Sequence, residues 1–139
     1  MNRAELQQLA EDRIMDAAAL LAAGRWSAAY YLSGYAIECG LKACIMLYVQ
    51  NTGAIFQDKK YGERCWTHDF KTLLVLAGLN ESLDADINAD PALSLNWDVA
   101  KVWDETSRYE QKTQIEAQAI YDAVAAIPNG VLPWIRKHW

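Results

Sequence analysis

The sequence predicts an all-α protein: an up-and-down bundle of four to five helices with a short C-terminal helical segment, in one domain over residues 1–139. Three observations carry that expectation. Apolar residues recur at helical spacing through long windows. Hydrophobic residues make up 53% of the chain and there are only three prolines, so a core can form and disorder is not expected. Capping signals stand where the apolar windows begin and end.

Asn2 can cap a first helix running to about Ala23, which Gly24 ends. At about 100° per residue, Leu6, Leu9, Ala10, Ile14, Ala17, Leu20 and Leu21 share one face. Arg13 falls in the middle of that face, either reaching out along its apolar stem or meeting a buried acid. The second helix is expected from about Arg25 to Gln50. It is apolar on most sides, which places it at the centre of a bundle. One stripe is polar: Ser27, Tyr31, Gly34, Glu38 and Lys42, closed by Ile45. Unpaired charge there would be costly, so Glu38 and Lys42 need partners.

Residues 51 to 66 break the periodicity with Gly53, Gly62 and a charged cluster, and read as a long loop. A third helix is expected from about His68 to Leu79, capped by Thr67. A break spans Asp86 to Pro91, and Asn96 to Trp103 reads as a short helical piece. The polar DETSRYEQKT segment follows. Thr113 and Glu116 form a capping-box signature for a last long helix whose inward face holds Ile115, Ala119, Ala123 and Ala126. Pro128, Asn129 and Gly130 end it before the VLPWIRKHW tail.

The formal net charge of -5 argues against a strongly cationic, sequence-blind nucleic-acid binder. It leaves room for a local basic patch. Three cysteines without a signal-peptide pattern set a reduced, cytoplasmic location as the expectation. Glu38 and Lys42 interrupt the apolar run and argue for a buried bundle helix over a membrane span. No zinc-ligand set accompanies the Cys65–His68 spacing, and no phosphate-cradling glycine loop is present; no metal and no cofactor are expected. Chemistry therefore rests on Arg64, His68, Arg108, Tyr109, Arg136 and His138 together with the Glu38–Lys42 stripe. Arg108 beside Tyr109 suits a carboxylate or phosphate, or else a bridge to Glu38. Trp66, Trp134 and Trp139 are candidates to face a partner.

The stretches AAYYLSGYAIECGLKACIMLY, HDFKTLLVLAG and WDETSRYEQ, with the closing helix, resemble the HEPN domain family over roughly residues 4 to 128. Ala36, Glu38, Leu41 and Lys42 carry its second-helix signature; His68-Asp69-Phe70 and Trp103 leading to Arg108-Tyr109 add to it. The resemblance implies a helical bundle, often a homodimer. It also implies binding to a nucleotide, to RNA, or to a partner such as a minimal nucleotidyltransferase. The nuclease members, among them toxins of toxin–antitoxin pairs, place an Arg and a His four to six residues apart near the last long helix. After Arg108 the corresponding positions are Thr113, Gln114 and Ile115, so that motif is not carried. The expectation is a binding module, with Glu38, Lys42, Arg108 and Tyr109 lining one cleft and His68 at its rim. The alternative is a metal-independent endoribonuclease using an irregular pair, Arg64 and His68.

Overall fold

The computed structural model describes all 139 residues. The chain begins with α1 (Arg3–Ala22), for which Asn2 and Glu5 form a reciprocal capping box. Gly24, at φ +73°, turns the chain into α2 (Trp26–Thr52). Gly53 ends α2 in the left-handed conformation that glycine adopts without a Cβ penalty. Helix α2 is the axis of the molecule: α1, α4, α7 and α8 all pack on it. That placement accounts for its composition. By length and mean hydropathy (1.3) it could cross a membrane, and 61% of its most apolar window is buried by the rest of the fold.

The segment after α2 is not one long loop. It contains a 3-10 turn (Ala54–Phe56) and the short α3 (Tyr61–Arg64), and the buried Tyr61 hydroxyl donates to the Leu76 carbonyl. Asp69, not Thr67, caps α4 (Phe70–Leu76), accepting the Thr72 amide at 2.8 Å; the Thr67 hydroxyl instead accepts the Asp69 amide. Two ten-residue helices follow, α5 (Asn80–Ala89) and α6 (Pro91–Ala100). Asp90 accepts the Ala92 and Leu93 amides, and Pro91 stands at the first helical position, where its missing N–H costs nothing. A 3-10 turn (Glu105–Tyr109) leads to α7 (Gln114–Ala125), opened by the Thr113–Glu116 capping box, and to α8 (Val131–Arg136).

The expectation of four to five helices is therefore corrected: the all-α bundle has eight, six of them seven residues or longer. The added elements are short pieces of four to ten residues, too short to show as long apolar windows. Three side chains also change place. Ile115 is 82% exposed and Ala119 is exposed with it, and Ala117, Ile120, Ala123 and Val124 form the buried face of α7. Trp134 is 4% exposed and donates its indole N–H to Asp86, so it belongs to the core and not to a contact surface. Trp139 packs partly buried against that core, whereas Trp66 is exposed. Arg136 grips Glu11 through two nitrogens at 2.6 and 2.7 Å, fastening α8 to α1.

Candidate functional site

The polar stripe of α2 meets three different neighbours at three heights. Near its middle, Glu38 is 2% exposed. Lys42, one turn on, donates to Glu38 Oε1 at 2.8 Å. His68, held in the link between α3 and α4, places Nδ1 2.9 and 3.0 Å from the two carboxylate oxygens. A carboxylate only accepts, so Nδ1 carries the hydrogen and Nε2 is left without a protein partner. Three groups thus share one buried charge, and His68 is the partner that sequence spacing placed only at a rim.

One turn toward the N-terminus, Gly34 is covered by Trp103. A Cβ at residue 34 would lie inside contact distance of that indole. The ring stacks on Phe70 at 5.1 Å and leans on Tyr31 at 5.7 Å. This aromatic layer stands between Glu38 and the start of the stripe.

At the start of the stripe lies a cleft of about 520 Å³, whose walls carry Arg25, Trp26, Ser27, Tyr31, Arg108 and Lys112. Helix α2 begins there with no side-chain cap and no acidic residue in its first turn. The first amides of a helix have no intrahelical acceptor, so those of Trp26, Ser27 and Ala28 remain available. The Ser27 hydroxyl accepts the Lys112 amide at 2.9 Å, tying the 110–112 segment to the helix. Lys112 bridges Glu110 at 2.7 Å and sits 4.4 Å over the Tyr30 ring; the Glu110 bond, opposed by partial burial, raises its pKa. Arg108 makes no ion pair. Its guanidinium lies 5.1 Å from the centroid of the Tyr109 ring, itself 80% exposed. Behind Tyr31, the indole N–H of Trp103 and the hydroxyl of Ser107 are buried without a hydrogen-bond partner.

The expected single cleft of Glu38, Lys42, Arg108 and Tyr109 is thus two places. Glu38 lies about 16 Å along the axis from Ser27, at 1.5 Å per residue. The carboxylate takes Lys42 and His68, not Arg108. Arg25 and Lys112, which complete the basic cleft, were not singled out by motif; the uncapped start of α2 beside two cations was the available signal.

Other candidates are committed elsewhere. Arg64 bridges Asp58 at 2.7 Å. Arg136 is held by Glu11. His138 lies against the Trp134 ring at 4.4 Å, and burial pushes its pKa down. Arg13 approaches Asp16 on its own helix at 3.4 Å. No three His, Cys, Asp or Glu side chains stand together in a metal-ligand arrangement. Comparison with family models, with characterised proteins and with solved structures gives no match for this chain.

Proposed function

We propose that this chain is a HEPN-like helical bundle acting as a binding module, which takes a phosphate of a nucleotide or RNA in the cleft at the start of α2. The observation that carries the reading is the convergence of Arg25, Arg108 and Lys112 on the uncapped first turn of a 27-residue helix, in a chain whose net charge is -5. Backbone amides and the positive end of the helix dipole favour an anion there. Arg108, free of any carboxylate, can present two parallel N–H donors to phosphate oxygens. Trp26 and Tyr31 offer faces on which a base can stack. The lining contains no carboxylate, imidazole or thiol, which favours binding over turnover in this cleft.

The test is titration calorimetry with AMP, ATP and a short single-stranded RNA at two salt concentrations, on the unmodified protein and on Arg108→Ala. The Arg108 side chain makes no hydrogen bond or ion pair and lies over the exposed Tyr109 ring, so its truncation should leave the melting temperature nearly unchanged and weaken binding about tenfold or more, about 1.4 kcal/mol. Affinity should fall as salt rises. An Arg108→Ala protein that binds as before, or that melts lower without losing affinity, overturns the reading.

One observation favours the endoribonuclease as a second reading: a buried carboxylate orients His68 and leaves Nε2 free, which suits proton transfer. Against it, Arg64 is paired with Asp58. Incubation with mixed RNA separates the two readings, since cleavage lost in His68→Ala but kept in Arg108→Ala belongs to the enzyme.

A further inference from the structure

A second cavity, of about 470 Å³, opens between α1, α2 and the α3 region. Leu6 and Leu9 form one wall, Met46 and Val49 another, and Tyr61 and Trp66 a third. The volume falls within the range of small-molecule sites, which are mostly apolar with a few placed polar groups. Here the charged groups on the wall are Glu38 and Lys42. At the mouth, Trp66 is 82% exposed, Met1 79% and Ile55 46%, apolar surface that an occupant would remove from water.

The charges specify the occupant's polar end. The Glu38 carboxylate is already taken by Lys42 and His68. The Lys42 ammonium has three hydrogens and has given one, to Glu38 Oε1. Charges of both signs act on the cavity's two thiols: Glu38 first, then Lys42 and Arg13, on Cys39, and Arg64 and Lys42 on Cys65. Arg13 and Arg64 are bridged to Asp16 and Asp58, which leaves Lys42 as the donor that an incoming anion meets. Burial raises the pKa of both thiols, that of Cys39 to about 11. They stay protonated at neutral pH and are poor nucleophiles, so occupancy is non-covalent.

We propose that this groove binds an apolar monocarboxylic acid, with its chain between α1 and α2 and its carboxylate hydrogen-bonded to Lys42 Nζ. The site is separate from the basic cleft and stands or falls independently of it.

Decanoate and decanol serve as matched probes, read by calorimetry and thermal shift. Gly62 lines the groove and a Cβ there meets nothing within 4 Å, so Gly62→Phe adds bulk at its wall. The expected result is one decanoate per chain with a raised melting temperature, and decanol at least tenfold weaker. Gly62→Phe should fold normally and lose decanoate binding at least tenfold, while Arg108→Ala binds decanoate unchanged. Equal affinity for decanol and decanoate removes Lys42 from the site and overturns the proposal. So does Gly62→Phe binding decanoate normally. A third overturning result is a dimer that Gly62→Phe dissociates, with no decanoate uptake by either protein; the groove would then be an interface between copies.

Discussion

Lys42→Met removes one of the two cationic or hydrogen-bonding partners of a carboxylate whose side chain is 3% exposed. The magnitude follows from that burial. Breaking a buried ion pair by deleting one partner costs about 3–5 kcal/mol, and a hydrogen bond to a charged group is worth about 1.5–3 kcal/mol. His68 still contacts both oxygens and Lys42 is one-fifth exposed, so the expected loss is about 2–4 kcal/mol. In a domain of this length that lowers the melting temperature by roughly 10 °C. Glu38→Gln with Lys42→Met removes both charges and keeps an acceptor for His68; it should recover to within about 1 kcal/mol of the original stability. Urea unfolding of the single and double variants, followed by far-UV circular dichroism, measures the coupling. An exposed pair one turn apart is worth only about 0.2–0.5 kcal/mol. A Lys42→Met loss of that size, or a double variant as unstable as the two singles summed, would refute the shared buried charge.

Two further outcomes come from packing and from titration. Gly34→Ala drives a methyl into Trp103, which cannot retreat without breaking its stack on Phe70. Overpacking of about 1–3 kcal/mol and a lost aromatic contact of about 0.5–1.5 kcal/mol outweigh the roughly 1 kcal/mol that alanine adds to a helix; an unchanged or raised urea midpoint would contradict this. His138 has a pKa held below its usual 6.5 by burial, with Asp86 opposing and Lys137 adding to the shift. The unfolded chain therefore binds the extra proton first, so this contribution is complete above about pH 6.5 and declines as pH falls below it. Urea midpoints measured from pH 7.5 to 5.5 should fall more steeply in the unmodified protein than in His138→Asn; equal slopes would exclude His138 as the source.

Both ends of α1, the apolar bulk of α2 and the start of α7 were legible because caps and periodicity act within a few residues. The count of helices was not, because α5 and α6 meet at Asp90 and Pro91 with no loop between them. What reads as a break is a stop followed at once by a start. Thr67 resembled a cap, yet Asp69 stands two residues nearer the helix and accepts the Thr72 amide. The site was half legible for a definite reason. A helical wheel gives the direction in which a residue points, not its height along the axis. Ser27, Tyr31, Glu38 and Lys42 do share a direction, so the wheel merges the two ends of the stripe into one site.

Gly34 explains why the two ends do not merge. The indole of Trp103 lies flat on the bare backbone of that turn, an approach that any side chain would prevent. On one side of it Glu38, Lys42 and His68 pair with one another beside the apolar groove; on the other Ser27, Tyr31, Arg108 and Lys112 open to solvent in the basic cleft. A larger residue at position 34 would lift Trp103 away from Phe70 and Tyr31 and disturb both places together. The charge in this core helix therefore needs two explanations. Glu38 is a fastening point between α2 and the start of α4, buried and paired twice. The free hydrogens of Lys42 and the unpaired guanidinium of Arg108 are the groups left over for ligands, and they face different cavities.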